Sequence, residues 1–472
     1  MAKYSVAVDI GASSGRLILG FLEKGQLKLK EIHRFDNKIE HKGESFCWNV
    51  DVLFQEIKKG LKAFKSLGIQ PDSIGIDTWA VDFVLLDEND RCITEAVSYR
   101  DPRTDGMMEE VFGLFSKERL YLETGIQFQK FNTIYQLYSI KQKNPEVLER
   151  AKSFLMIPDY FNFLLTGLKA NEYTNATSSQ LVNAFTKRWD DNILGHLEIG
   201  TEMFQEIKLP KTVLGSLKDE LADELGFNMK VILPATHDTA SAVISVPEQN
   251  SSIYISSGTW SLMGVENHFP ICVTKALDYN FTNEGGIDYR YRFLKNIMGL
   301  WMIQEVKKNY ENRYSFADFV ELAGKASSFK SIVDVNDGRF LKPDHMVEEI
   351  RAYCRETGQL EPVTPGEVAK CVYDSLAESY RSAVVEIEEI FEREFKQINV
   401  IGGGCQNEML NQLLADVTGK VVYAGPVEAT AIGNIAAQLM ALGELGGIEE
   451  ARSIINQSFD VKTYLPAGVL QN

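Results

Sequence analysis

The sequence predicts an α/β protein built from two similar domains, on three observations. Apolar strand-like runs alternate with amphipathic helical stretches, the order that lays helices against a sheet. Two segments, V-A-V-D-I-G-A-S-S-G-R-L-I-L-G at 6–20 and I-Y-I-S-S-G-T-W-S-L-M-G at 253–264, each read as an apolar strand, a Ser/Gly turn and a second apolar strand, about half a chain apart. The length, 472 residues, exceeds what one ordinary core fills.

In chain order, the first strand ends on Asp9 and turns through Gly11, Ser13, Ser14 and Gly15. A helix is expected over 51–65 and a strand over 73–78, and the apolar run 231–234 leads to Asp238 at a helix start, where Asp and Thr also serve as ordinary caps. The polar break Pro247, Glu248, Gln249, Asn250 and Ser251 marks the expected boundary between domains 1–245 and 246–472. Beyond the second hairpin, helical patterns over 366–395 precede a buried strand at 398–401 and the turn Gly402, Gly403, Gly404. The run 425–431 should open another helix, with Pro426 in its first turn.

Composition narrows the function. With 44% hydrophobic and 24% charged residues the chain is that of a soluble globular protein, and its net charge of −17 repels nucleic acid and anionic lipid. The basic stretches 28–34 and 58–65 are interleaved with apolar residues, as solvated faces are. Six scattered cysteines without a C-x-x-C pair are expected to be reduced and mostly buried. No apolar run approaches a membrane span, and a cytoplasmic location is expected, with oligomeric state open.

The glycines and serines of the first turn leave backbone amides accessible to an anion beside Arg16, and Ser256, Ser257, Gly258 and Thr259 repeat the pattern. Two such turns suit a triphosphate, although each is also an ordinary tight turn. The P-loop is missing, because the Gly-Lys pairs precede Ala326 and Val421; the dinucleotide fingerprint fails at Asn407, and no D-F-G or H-R-D run occurs. The turn G-G-G-C-Q-N at 402–407 lets a flat ligand such as a purine approach the backbone. Phosphoryl transfer to a hydroxyl needs a base, a metal and alignment. Asp238 at a helix start should stay ionised as the base, Asp9 is placed to hold Mg2+, and His237 suits a hydrogen bond to substrate. Asp77, Trp79 and Asp82 offer a polar edge and aromatic wall for a sugar, though Trp79 fits a core equally well.

Taken together, V-D-I-G-A-S-S-G-R, G-I-D-T-W-A-V-D-F-V-L-L-D (75–87), Y-R-D-P-R-T (99–104), G-I-Q-F-Q-K-F-N-T-I-Y-Q-L (125–137), P-D-Y-F-N-F-L-L-T-G (158–167), E-Y-T-N-A-T-S-S-Q-L-V-N (172–183), H-D-T-A-S-A-V, S-S-G-T-W-S-L-M-G, L-K-N-I-M-G-L-W (294–301) and G-G-G-C-Q-N span nearly the whole chain. On these motifs the chain resembles the FGGY carbohydrate kinases of the actin and Hsp70 superfamily. The resemblance implies two actin-like (ribonuclease H-like) domains, the first mainly for sugar and the second mainly for ATP, with the cleft for both between them. It implies ATP-dependent phosphorylation of a ketose, expected to be L-rhamnulose at O1, with ATP as co-substrate and Mg2+. Asp238 is then the catalytic base, and Ala80, His237, Thr239 and Asn296 touch the sugar. Ala12, Ser13, Ser14, Gly15, Arg16, Thr259, Gln304, Gly402, Gly403 and Gly404 contact ATP. Two departures stand out: Ala80 replaces a glycine, which narrows the sugar pocket, and Lys130 replaces a proline in a loop. Another ketose, L-fuculose or a pentulose, is the near alternative, and an actin-like ATPase scaffold the distant one.

Overall fold

The computed structural model describes residues 3–247 and 252–468. The break expected at 247–251 therefore lies, past Pro247, outside the described residues. The chain forms two compact units. The first contains the residues up to Pro247 together with Glu266–Phe293 and Ala429–Ser458; the second contains the stretch ending at Val265, Leu294–Glu428 and the segment from Phe459 onward. Two stretches late in the sequence thus belong to the unit formed by its beginning.

The first unit is built on strands β1 (Ser5–Ile10), β2 (Ser14–Glu23), β3 (Gln26–Asp36), β4 (Ser73–Thr78), β5 (Val213–Ser216) and β6 (Lys230–Ile232), in the order β5-β6-β4-β1-β2-β3. Every residue of β1 and β4 is buried, as strands covered on both faces must be. The expected hairpin forms, with β1 and β2 antiparallel, and β4 and β6 then add in parallel. Gly15 is required by packing: a Cβ there would lie 2.3 Å from the Phe35 ring on β3. The expected helix runs Val50–Leu67. Asn49 caps it, accepting from the Val52 amide, and Gly68 ends it at φ 65°. Its residues Leu53, Ile57, Leu61 and Phe64 recur every three or four positions and enter the core with Ile74 and Val231. Each contributes about 1.5–3 kcal/mol on burial.

A second sheet, of seven strands, repeats the plan with β7 (Ser252–Ser257), β8 (Trp260–Asn267), β9 (Tyr291–Met298), β10 (Gln397–Ile401), β11 (Val421–Ala424) and β12 (Lys462–Tyr464), ordered β9-β8-β7-β10-β11-β12, with the strand Thr282–Gly285 at the edge beyond β9. Again an antiparallel hairpin, β7 and β8, is followed by two parallel additions and an antiparallel edge. The helical stretch expected over 366–395 is one helix, Pro365–Phe391, started by a capping box between Thr364 and Glu367.

One expectation is corrected. Pro426 is not in the first turn of a helix, which begins at Ala429; the Gly425–Pro426 peptide is cis, and the Pro426 carbonyl accepts from the Gly402 amide at 3.0 Å. All six cysteines are free, with Cys47, Cys354, Cys371 and Cys405 buried. No helix among the described residues is long and apolar enough to cross a membrane.

Candidate active site

Sheet register, which motif spacing does not reveal, assembles the acidic centre of the first unit. Asp9 on β1 stands opposite Arg16 on β2 and beside Asp77 on β4, so three charged side chains form a row across three strands. The Arg16 guanidinium donates to Asp9 Oδ2 through Nε at 3.1 Å and Nη2 at 2.9 Å. Asp77 is fully buried; its Oδ2 accepts from the Asn434 amide at 2.5 Å, while Oδ1 has no hydrogen-bond partner. Burial, then the charge of Asp9, with a further push from Asp238, raises the Asp77 carboxyl well above its ordinary value, against the Asn434 hydrogen bond. Asn434 comes from the helix Ala429–Ala441, which also places Gln438 against the Val6 carbonyl at 3.0 Å.

β6 leads through residues 233–237 to the short helix Asp238–Ile244. The approach is pinned by buried Glu172, whose Oε2 accepts from the Thr236 amide at 3.0 Å and hydroxyl at 2.7 Å, while the Thr174 hydroxyl accepts from the His237 amide at 3.2 Å. Asp238 Oδ1 takes the Thr239 amide at 2.5 Å and its hydroxyl at 3.1 Å, with His237 Nε2 at 3.4 Å. Oδ2 carries no hydrogen bond to the described residues, and the side chain is 31% exposed. Burial pushes the Asp238 carboxyl up, against the neighbouring His237. Desolvation thus acts beside the helix start expected to keep the group ionised, and a raised carboxyl is a stronger base.

His237 is buried, and its Nδ1 lies 3.0 Å from Arg292 Nη2 and 3.2 Å from Glu284 Oε2. Arg292 and Glu284 pair at 2.9 Å. Burial alone would raise Glu284, but Arg292 and His237 outweigh it and hold the carboxyl below its ordinary value. Neither residue was singled out in the sequence, where each sits in an unremarkable strand context.

Ala80 follows the end of β4, where Thr78 bridges to His237 and its amide donates to the Thr236 carbonyl at 2.9 Å. The next residue, Val81, has φ 67°, and the Asp82 amide reaches back to the Ala80 carbonyl at 2.9 Å, a strained γ-turn for a β-branched side chain. Asp82 is not a free sugar edge. Its Oδ2 accepts from Trp48 at 2.6 Å, Trp79 at 2.9 Å and the Tyr99 amide at 3.0 Å, and Oδ1 accepts from Gln136 at 3.0 Å. Trp79 packs on Trp48 with ring centroids 4.3 Å apart, the core alternative for that residue. Lys130 forms a surface pair with Asp105 at 2.7 Å, in keeping with a loop role.

In the first turn Gly11 donates to the Ser14 carbonyl at 2.9 Å, and Asn37 Nδ2 donates to the Gly11 carbonyl at 2.8 Å. The amides of Ala12 and Ser13 make no hydrogen bond to the described residues, and Ser13 is exposed. In the second unit the corresponding turn gathers the other candidates. The carbonyls of Gly258 and Thr259 accept from the amides of Leu300 at 3.0 Å and Trp301 at 3.2 Å, which open the helix Trp301–Asn309 bearing Gln304. Ser256 pairs in register with Ile401, so Gly402 follows directly beside Ser257. Gly402 has φ 82°, and a Cβ on Gly404 would lie 2.0 Å from Ser257 Oγ. These turns end parallel strands, the edge at which α/β sheets bind ligands. Asn296 is half-buried on β9 in this unit, next to Lys295, which pairs with Glu386 at 2.6 Å.

The donor set of the first unit suits Mg2+, which takes one or two carboxylates and completes its shell with water and phosphate. Arg16 donates to Oδ2 of Asp9, and the mutual repulsion of Asp9 and Asp77 is what a divalent cation relieves. No cluster of three or more acidic, His or Cys ligands occurs among the described residues.

A carboxylate with one open oxygen at a helix start, two Ser/Gly turns and a twice-repeated sheet suit phosphoryl transfer, and the chain belongs to the FGGY family of carbohydrate kinases: its N-terminal domain model matches residues 4–245 and its C-terminal domain model residues 253–442. The chain is 69% identical over 98% of its length to a rhamnulokinase of Halalkalibacterium halodurans, covering 99% of that protein. It is 65% identical to a rhamnulokinase of Oceanobacillus iheyensis, covering 98% of each chain. Among solved structures, gluconate kinase from Lactobacillus acidophilus superposes with a TM-score of 0.82 at 17% identity, covering 99% of this chain and 94% of that one, a likeness of fold.

Proposed function

We propose that this chain transfers the γ-phosphoryl group of ATP to O1 of L-rhamnulose, in the breakdown of L-rhamnose, with Asp238 as general base. The observation that carries the chemistry is the Asp238 carboxyl: raised by burial, its Oδ1 held by Thr239, its Oδ2 left open for a substrate proton. The choice of sugar rests on the 69% and 65% identity to proteins named rhamnulokinase.

In this reading Oδ2 removes the O1 proton as O1 attacks, and His237, Thr239, Ala80 and Asn296 orient the ketose. The amides of 12–16 with Arg16, together with Thr259, Gln304 and Gly402–Gly404, hold ATP. Asp9 would hold Mg2+, which when bound neutralises charge on the transferring phosphoryl group. Residues 1–245 serve mainly the sugar and 246–472 mainly ATP. The net charge of −17 argues against nucleic-acid or anionic-lipid partners, and we read the enzyme as cytoplasmic.

The test is ADP release with Mg-ATP across L-rhamnulose, L-fuculose, D-xylulose, L-ribulose and glycerol, compared by kcat/KM. A preference for L-rhamnulose is expected. Preference for another ketose would retain the kinase and move the specificity argument to the methyl of Ala80; hydrolysis indifferent to every sugar would overturn the proposal.

A further inference from the structure

The buried trio Arg292, Glu284 and His237 fixes more than a side-chain position. Arg292 is fully buried, and the side chains of Glu284 and His237 are 6% and 7% exposed. Arg292 can only donate. Its Nη2 lies 3.0 Å from His237 Nδ1, so that ring nitrogen presents a lone pair. At the opposite edge of the ring, Nε2 faces Asp238 Oδ1 at 3.4 Å, an acceptor that calls for a proton on Nε2. Among the described residues Glu284 Oε2 is the one group that could draw the proton to Nδ1, from 3.2 Å, but it lies closer to Arg292, at 2.9 Å. Arg292 Nε is anchored in turn on the Gly285 carbonyl at 2.9 Å, which keeps the guanidinium from swinging away.

We propose that Arg292, held by Glu284, is a positioning residue that fixes His237 as the Nε2–H tautomer, turning a hydrogen-bond donor toward Asp238 Oδ1 and the sugar. The consequence for transfer rests on the kinase reading above. With Oδ1 occupied by donors, the proton from O1 is directed to Oδ2. His237 with the opposite tautomer would set a lone pair against the Asp238 carboxylate and lose its donor to a sugar oxygen.

The wild-type protein, labelled with 15N-histidine and without ligands, decides the tautomer. Long-range 1H–15N correlation spectra, with the His237 signals identified by their loss in His237→Asn, should show an unprotonated Nδ1 and a protonated Nε2. In folded Arg292→Gln the tautomers should mix and the KM for sugar should rise about tenfold, the loss of roughly one hydrogen bond, with the KM for ATP unchanged. Glu284→Gln, which keeps an acceptor for Arg292, should retain the wild-type pattern. A proton on Nδ1 in the wild-type spectrum overturns the proposal, as does an Arg292→Gln protein with unaltered tautomer and sugar KM. Failure of the kinase reading shows separately, as ADP release indifferent to sugar while the His237 signals remain as expected.

Discussion

At the scale of single residues, Asp238 and Asp82 show how identical side chains are given different work by their surroundings. Both are pushed up by burial. Asp82 is surrounded by donors on both oxygens and organises Trp48, Trp79 and Gln136, whereas Asp238 keeps one oxygen open. Asp238→Asn is expected to fold and to lower kcat by about 10^2 to 10^4, the range for losing a general base. In the wild type, kcat should fall with decreasing pH as Asp238 is protonated, on a limb lying above the ordinary 3.8 of an aspartate. Near-normal turnover of the Asn variant at neutral pH would remove Asp238 from the role of base. The sequence pointed to Asp238 through its place between a strand and a helix; it gave no sign that Asp82 faces inward, because a carboxylate near tryptophans reads the same for a sugar wall and for a core.

At the scale of elements, the turns are decided by close packing as much as by ligand chemistry. Gly15 makes room for Phe35, and Gly433 lets the helix Ala429–Ala441 approach the helix Asp238–Ile244 so closely that a Cβ would lie 1.8 Å from the Ser241 carbonyl oxygen. In the second unit Gly404 rests on the end of β7, where a Cβ would meet Ser257 Oγ at 2.0 Å, Cβ at 2.7 Å and the carbonyl oxygen at 3.0 Å. Rotating the hydroxyl relieves only the first contact, so Gly404→Ala must move the glycine turn away from the hairpin. Steady-state kinetics of that variant should show a raised KM for ATP, by about tenfold or more for 1.4 kcal/mol of lost binding, with the sugar KM near wild type. An unchanged KM for ATP would place the nucleotide elsewhere. The hairpins themselves are legible as alternating apolar runs around Ser/Gly turns, while the helix start after Pro426 is not, because a proline before a helix and a proline in its first turn share the same sequence signal.

At the scale of the whole molecule, buried polar ties join residues from distant parts of the chain, as where Asn434 meets Asp77 and Gln438 meets Val6 and Ser73. The folded-state value of Asp77 lies above its unfolded one, so the folded chain binds the proton more tightly. Its contribution to stability is fully present below the unfolded value and is lost as pH rises through the folded one. Asp77→Asn, neutral at every pH, should therefore melt higher than wild type at neutral pH without nucleotide or metal, and the advantage should shrink in acid. Thermal melts across pH check this; a variant that melts lower at neutral pH would show that the ionised carboxylate is stabilised there by its partners. By itself the sequence determined the α/β class, the repeated hairpins and the family, and it put forward Asp238 as the candidate base, because strand and helix periodicity and turn residues are local signals. Only the tertiary structure decided that Asp77 lies in register with Asp9, that Ala429–Ser458 returns to the first unit, and that Arg292 and Glu284 grip His237. Strand register and the burial of charge are set by contacts between residues far apart in the chain, which no local pattern encodes.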